Sequence, residues 1–425
     1  MKVLLRPIFF FLAVSSLAFS APGKPADAVV AARASCEKGD FKEAGEILET
    51  ALHAPTDQPE AGLKQIAYEM DLIKRVRQDY SLTETQLFQK LSGAVKDLQR
   101  TEFDAWVKQG RFDGRMMDGE KRYVGTSVSN LFFRHPELNP RRLPPKNDSD
   151  YQKQLLENAR AIKMAAARQK KNYVLPTRYR ATFTVTAEKN AVPAGKTIRA
   201  WLPVPRKTPF QNDFKLVSTS SPVKQLAGEN SSIRSVFLEQ IAEKDLPTRF
   251  QETFEYTIRP THFNLDPRRI MPVDENDPAL KPFLAEAPHV VFTPPLLKLA
   301  KKIAGDETNQ MLQARAFFNW VADHIKYSYA REYSTLTNIS DYCANHGYGD
   351  CGQEALLFIT LCRSQGIPAR WQTGWHLVPG HVTIHDWTEI YLAPYGWVPV
   401  DPWAGIFATR YCPSLTPEER TELRN

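Results

Sequence analysis

Three residues near the carboxyl end of the chain have the types and order that thiol-dependent acyl transfer needs: Cys351, His385 and Asp401. A cysteine attacks a carbonyl carbon as its thiolate, so it needs a base that takes the thiol proton and later protonates the leaving amine. An imidazole can do both, and a carboxylate beside it holds the tautomer and stabilises the cation. Taken singly, each residue is more typical of a structural role, but the order Cys–His–Asp predicts a catalytic triad.

The local sequence predicts that Cys351 begins a buried helix. Asp350 is a favourable N-cap, and Gly366 is a favourable stop after a helix over Cys351–Gln365. The run Ala355–Cys362 is apolar apart from one threonine, which indicates that this helix is buried. The unpaired N–H groups and the dipole at its start favour a thiolate, whereas the charge of Asp350 favours the neutral thiol.

Strand-like runs follow the helix at residues 370–377, 383–392 and 396–400. His385 therefore lies in a strand, and Asp401 directly follows the next strand. Helices followed by an antiparallel sheet are typical of the α+β class. Three rigid elements can thus supply the three candidate groups.

Four sequence blocks around these residues resemble the core of bacterial transglutaminase-like domains, and the resemblance is strongest over residues 310–405. It implies a papain-like fold with Cys351 as nucleophile, His385 as base and Asp401 as the orienting carboxylate. The preceding β-rich segment is similar to the all-β domain that often precedes this core. The four blocks are Gly349–Ala355, Leu361–Arg370, His385–Glu389 and Gly396–Pro402.

The sequence also departs from the animal members of that family. Gly352 follows Cys351 where those enzymes have a tryptophan, and no tryptophan lies between Trp320 and Cys351. Glutamine–lysine crosslinking and calcium activation are therefore poorly supported. The backbone N–H of Cys351 is expected to be one oxyanion donor, and Tyr342 and Tyr348 are candidates for the second.

Composition is that of an ordinary globular protein. The chain has 425 residues, of which 42% are hydrophobic and 24% charged, and its net charge is +7. This length is enough for two or three domains. The basic residues are not concentrated enough to indicate nucleic-acid binding.

The pattern of residues predicts a multidomain chain. Residues 21–172 are expected to be mostly helical, with a proline-rich linker at 135–146. Residues 173–261 show the two-residue period and turn signals of a β-sandwich. Residues 262–425 form the predicted catalytic domain.

Residues 1–20 have the features of a signal peptide. Lys2 and Arg6 form a basic start, Ile8–Phe19 is apolar apart from two serines, and small residues precede Ala21. The apolar run is shorter than a bilayer requires, and no second one follows. The protein is therefore expected to be exported, periplasmic or secreted, without stable membrane insertion.

The cysteines leave further roles open. Their odd number requires at least one free thiol or pairing between chains, and a Cys343–Cys412 disulfide remains open. A zinc-type site at Cys343, His346 and Cys351 would need a fourth ligand, but no CxxC pair is present, so no metal or cofactor is predicted. The five cysteines are Cys36, Cys343, Cys351, Cys362 and Cys412, and the candidate fourth ligands are His376, His381 and Cys412.

These observations predict an exported cysteine-nucleophile acyltransferase or hydrolase of the transglutaminase-like type, acting on an amide of a protein or peptide substrate. Five tryptophans are interpreted mainly as core, with a substrate cleft as the alternative. The alternative function is a non-catalytic interaction module on the same fold. The tryptophans are Trp371, Trp375, Trp387, Trp397 and Trp403.

Overall fold

A computed structural model describes residues 25–54, 59–146, 148–378 and 381–425. The predicted signal peptide, residues 1–20, lies outside the described residues. Among those described, no helix combines the length and apolar character needed to cross a bilayer. The fold is mixed α/β, with helices at both ends of the chain and several small sheets.

The amino-terminal part is helical, with one small antiparallel sheet of strand order β1-β3-β2. Leu48 and Ile66 lie in one apolar cluster, and Leu87 and Phe103 lie in a second. The proline-rich segment contains a 3-10 helix, Pro136–Arg141, which buries Leu138 against the second cluster. The elements are α1 (Pro25–Lys38), α2 (Phe41–Leu52), α3 (Glu60–Asp79), β1 (Leu82–Thr83), α4 (Glu84–Ser92), α5 (Arg100–Lys108), β2 (Gly114–Met117), β3 (Glu120–Tyr123), α6 (Ser127–Arg134) and α7 (Ser149–Gln169).

The middle part contains two antiparallel sheets of three strands each, with orders β4-β9-β6 and β5-β8-β7. Alternate residues of these strands are apolar, and both sheets contribute to one cluster that includes Leu202, Leu238 and Phe254. The strands are β4 (Thr177–Ala187), β5 (Thr197–Pro203), β6 (Gln211–Thr219), β7 (Gln225–Leu226), β8 (Ser235–Ile241) and β9 (Thr248–Ile258).

The carboxyl-terminal part surrounds one central helix, α11. Its residues from Gly352 to Cys362 are all buried, as the apolar run predicted. An antiparallel sheet of order β12-β13-β14 packs on it. The elements are α8 (Pro294–Ala304), α9 (Gln310–His324), β10 (Lys326–Tyr327), α10 (Ile339–His346), β11 (Tyr348–Gly349), α11 (Cys351–Arg363), β12 (Ala369–Val378), β13 (His381–Leu392), β14 (Gly396–Val400), α12 (Pro402–Arg410) and α13 (Pro417–Arg424).

The predicted bounds of these last elements hold to within a few residues. Helix α11 begins at Cys351 and ends at Arg363, two residues before the predicted end. Gly366 then adopts φ +72°, a left-handed conformation that favours glycine over other residues. The chain turns there into β12, so the helix start and the three strands lie in one compact unit.

Candidate active site

The first turn of α11 is held by reciprocal hydrogen bonds. The N–H of Gln353 donates to Asp350 Oδ1 at 3.0 Å, and the N–H of Asp350 donates to Gln353 Oε1 at 3.3 Å. The hydroxyl of Tyr333 also donates to Asp350 Oδ1. Asp350 is thus the N-cap that the sequence predicts, and Cys351 is the first helical residue.

His385 and Asp401 form a hydrogen-bonded pair. His385 Nε2 lies 2.7 Å from Asp401 Oδ2, while Asp401 Oδ1 accepts the N–H of Ala404 at 3.3 Å and so caps α12. The ring of His385 also meets the edge of Trp403, with the centroids 5.0 Å apart. One carboxylate oxygen is therefore tied to a helix start, and the other orients the imidazole.

The surroundings of His385 raise its pKa overall. Burial alone lowers the pKa of this imidazole, but the charge and hydrogen bond of Asp401, together with the charge of Asp386, outweigh that effect. A raised pKa means that the imidazolium persists to higher pH than for a free histidine. Since a base must be neutral, the structure favours base function on the alkaline side of the ordinary histidine range.

The thiol of Cys351 is bonded to Asp386. Its Sγ lies 3.6 Å from Asp386 Oδ2, and no hydrogen bond joins Cys351 to His385, both of which are described. The structure thus brings His385 to Asp401, and Cys351 to the residue that follows His385 in the chain. The assignment of all three as one triad stays a prediction.

The electrostatic environment keeps Cys351 neutral. Burial raises the pKa of its thiol most, followed by the charges of Asp350 and Asp386, with a smaller contribution from Glu354. The backbone N–H of Asp386 acts in the opposite direction and lowers it. The helix start alone therefore does not produce a thiolate, and deprotonation requires a base or a change in local charge.

Gly352 allows the carboxylate of Asp386 to approach the helix. A Cβ atom at Gly352 would overlap the Tyr333 hydroxyl and lie 2.9 Å from Asp386 Oδ2. Neither Asp386 nor Tyr333 was singled out by the sequence reasoning. The position of Asp386 beside His385 was the available signal for the first, and none was evident for Tyr333.

Glu354 was also missed by the sequence reasoning. It lies one helical turn after Cys351, is fully buried, and neither of its carboxyl oxygens has a hydrogen-bond partner. Burial, with the charges of Asp350 and Asp401, raises the pKa of this carboxyl well above its usual range. Its buried position therefore favours the protonated form of this carboxyl.

Of the two tyrosines expected near the oxyanion, Tyr348 has its hydroxyl engaged elsewhere. The hydroxyl of Tyr348 donates to Asp113 Oδ1 at 2.5 Å. The ring of Tyr342 stacks on His346, with the centroids 4.0 Å apart. Tyr333 is the tyrosine whose hydroxyl reaches the N-cap of α11.

All five cysteines are free thiols, so Cys343 and Cys412 do not form a disulfide. Within the described part of the chain, no group of three or more His, Cys, Asp or Glu residues has metal-binding geometry. The side chain of His381, one candidate fourth ligand, lies outside the described part.

Comparison with known proteins identifies the surrounding domain. Residues 297–402 match the family model described as "Transglutaminase-like superfamily". The sequence resemblance is therefore confirmed for this part of the chain. The comparison with curated proteins finds no match.

The solved structures to which this chain is similar include a candidate cysteine protease from Cytophaga hutchinsonii. It is 23% identical, with a TM-score of 0.42, over 54% of this chain and 78% of that chain. The periplasmic domain of TgpA from Pseudomonas aeruginosa is 17% identical, with a TM-score of 0.31, over 57% of this chain and 75% of that chain.

Proposed function

We propose that this protein, which carries a transglutaminase-like domain at residues 297–402, is a thiol enzyme that attacks an amide or peptide carbonyl. Cys351 is the nucleophile, His385 the base and Asp401 the carboxylate that orients it. The acyl group passes to water or to an amine. The observation that carries the proposal is the 2.7 Å hydrogen bond between His385 and Asp401, in a strand packed on the helix that Cys351 begins.

The first half of the reaction forms an acyl-enzyme. With Nε2 of His385 bonded to Asp401, Nδ1 is the nitrogen left to accept the thiol proton. Cys351 turns from Asp386 toward His385, loses its proton and forms a sulfur–carbon bond with the carbonyl. The backbone N–H of Cys351 stabilises the oxyanion. The carbon–nitrogen bond then breaks, and His385 returns the proton to the leaving amine.

The second half releases the acyl group. Water or an amine attacks the thioester, and His385 accepts its proton. The sulfur leaves as a thiolate and recovers a proton from the imidazolium. Because the resting thiol has a raised pKa, this scheme uses proton transfer during attack instead of a preformed ion pair.

We propose that the β-rich middle part of the chain packs against the transglutaminase-like domain and supports it. We propose that residues 173–261 form one β-sandwich, supported by the single apolar cluster that both sheets share. Phe183 contacts Trp375 with centroids 5.5 Å apart, and Arg206 donates to Gln372 Oε1 at 2.9 Å. Export is proposed on the sequence of residues 1–20 alone.

The test is the rate of Cys351 alkylation by iodoacetamide across pH, read by peptide mass spectrometry. Wild type is compared with His385→Ala, and Cys36, a half-buried thiol of α1, is the internal control. The Cys351 rate is expected to rise as His385 loses its proton. The substitution should lower that rate at pH 7 by about a hundredfold, as expected for loss of a general base, and leave Cys36 unchanged.

Turnover assays complete the test. Peptide libraries, with and without an added amine, distinguish a hydrolase from a transferase, and Cys351→Ser should abolish both activities. A Cys351 rate that rises only near the free-thiol pKa of about 8.5, and that is unchanged in His385→Ala, would contradict the enzyme proposal. The non-catalytic interaction module would then be the better account of this fold.

A further inference from the structure

Asp386 is a carboxylate beside the proposed nucleophile that forms no salt bridge within the described part of the chain. Two other carboxylates of the sheet region do have nitrogen donors: Asp401 is bonded to His385, and Glu389 accepts from Arg370 Nε at 2.8 Å. The side chain of Asp386 accepts from the Cys351 thiol, at 3.6 Å. Its side chain is only partly buried, so a ligand can reach it.

This placement works against the nucleophile unless a cation is present. A negative charge this close to a sulfur opposes formation of the thiolate. A cation bound to Asp386 would compensate that charge and would compete with the thiol for the carboxylate oxygen. The thiol would then be free to turn toward His385.

We propose that Asp386 binds the α-ammonium group of a peptide's amino-terminal residue, so that the enzyme selects acyl donors with a free amino terminus. This inference rests on the proposed function and names its substrate class. Asp386 is here a specificity residue that touches substrate, while proton transfer stays with His385.

Distances around Cys351 favour an α-ammonium over a more distant cation. An attacked carbonyl carbon lies about 3–3.5 Å from the sulfur in a reactive arrangement, and an ammonium–carboxylate hydrogen bond spans about 2.7–2.9 Å. The α-nitrogen is separated from the carbonyl carbon by the α-carbon alone. The α-nitrogen can therefore hydrogen-bond to Asp386 Oδ2, which lies 3.6 Å from the sulfur, while the carbonyl carbon lies within attacking distance of the sulfur.

The order of the steps assigns the cation to the acyl donor. Cys351 is held by Asp386 before any thioester exists, so the group that replaces it must arrive with the first substrate. An acceptor amine arrives after the thioester has formed and attacks as the uncharged base. Holding it as an ammonium would hinder that attack.

Apolar side chains continue the same face of β13 beyond Asp386. Ile384 and Val382 alternate with His385 along the strand and are 70% and 59% exposed. Trp375 pairs with Ile384 across the sheet and is 42% exposed. This surface suits an apolar side chain on the amino-terminal residue, such as leucine.

The experiment compares labelling of Cys351 in the full chain by four reagents. They are leucine chloromethyl ketone, its N-acetyl form, Nα-acetyl-lysine chloromethyl ketone and iodoacetamide. Rates are measured at pH 6.5 by peptide mass spectrometry and divided by the rate of each reagent on Cys36. The variants are Asp386→Asn and, as a matched loss of an exposed carboxylate, Asp306→Asn.

Wild type and Asp306→Asn are expected to prefer the free-amine leucine reagent over its N-acetyl form by about tenfold or more, the usual effect of a charged hydrogen bond. In Asp386→Asn the preference should fall to about one, because the amide carries no charge. Labelling by iodoacetamide should persist or become faster in that variant, since a charge that opposes the thiolate has been removed.

Five results would overturn the inference. Equal labelling of wild type by the two leucine reagents, or a preference that survives in Asp386→Asn, excludes ammonium recognition and leaves the proposed function intact. If Asp386→Asn loses labelling by both leucine reagents equally, Asp386 is part of proton transfer instead. If Nα-acetyl-lysine chloromethyl ketone is preferred over the N-acetyl-leucine reagent as strongly as the free-amine leucine reagent is, the cation belongs to a substrate side chain. Failure of Cys351 to react with any reagent, while Cys36 reacts, overturns the proposed function as well.

Discussion

At the scale of single residues, two neighbours in β13 define the site. His385 is bonded to Asp401, whereas Asp386 is bonded to the Cys351 thiol. In the proposed scheme, one strand thus supplies both the base and a carboxylate that restrains the nucleophile. The raised pKa of the Cys351 thiol favours its neutral form at rest, and the proposed activation depends on His385.

Replacing Asp401 with asparagine should shift the pH dependence of catalysis. Asp401 contributes to the raised pKa of His385, so His385 keeps its proton to higher pH in wild type. Removing that charge lowers the pKa, and the acid limb of kcat/KM should move to lower pH. The plateau should fall by about 10²–10⁴, because the tautomer is no longer held.

A kcat/KM profile from pH 5 to 9 for wild type and Asp401→Asn measures both effects. Asp323→Asn, which alters an exposed carboxylate paired with Arg424, is the control and should leave the profile unchanged. An acid limb that stays in place, or moves to higher pH, would show that Asp401 does not set the charge of His385.

At the scale of elements, the start of α11 sets where the thiol lies. The side chain of Asp350 accepts from Gln353 N–H and from Tyr333, which makes it both a cap and a link to the preceding loop. The same carboxylate raises the pKa of Cys351. Helix geometry and thiol chemistry are therefore coupled through one residue.

The matched pair Asp350→Asn and Asp350→Ala separates these two effects. Asparagine retains a capping oxygen, so its stability should stay close to that of wild type, whereas alanine should lose about 1 kcal/mol of unfolding free energy. Both variants remove the negative charge that opposes the thiolate. The rise of the Cys351 alkylation rate with pH should therefore occur at lower pH in both. Urea unfolding and the alkylation profile are the measurements. Equal destabilisation by the two substitutions would argue against the capping role.

At the scale of the whole molecule, the amino-terminal helical part supports the strand that leads to Cys351. Arg134 of α6 lies 2.5 Å from Asp113 Oδ2 and donates from Nε to Ser328 Oγ at 3.0 Å. Its guanidinium lies 3.5 Å from the ring centroid of Tyr348, whose hydroxyl bonds Asp113. Tyr348 opens β11, which ends at Gly349 directly before the N-cap. Chain parts far apart in sequence thus meet next to the candidate site.

Arg134→Ala should strongly destabilise these contacts between the amino-terminal part and the strand before Cys351. The Arg134 side chain is 8% exposed and that of Asp113 23%, so the substitution leaves a largely buried carboxylate unpaired. We expect a loss of about 3–5 kcal/mol in unfolding free energy, with Asp113→Asn in the double variant recovering part of it. Arg160→Ala, which breaks an exposed pair with Glu422, is the control and should cost about 0–1 kcal/mol. Similar losses for the two single variants in urea unfolding would refute a special role for the buried pair.

Much of the local structure was determined by the sequence itself. The N-cap Asp350, the apolar run after Cys351 and the stop at Gly366 were enough to predict α11, and the strand-like runs after this helix were enough to predict β12 to β14. These signals are local, since capping and alternation act within a few residues. The motif order also identified the transglutaminase-like domain that the family match confirms.

Only the tertiary structure decided which side chains meet across the site. It brought Asp386 to the Cys351 thiol, and Tyr333 to the N-cap. It also directed Tyr348 to Asp113, away from the oxyanion role considered for it. Such contacts depend on strand register and on how separate elements dock. Local periodicity carries no information about either, because a shift of one residue exchanges the two faces of a strand without changing its sequence.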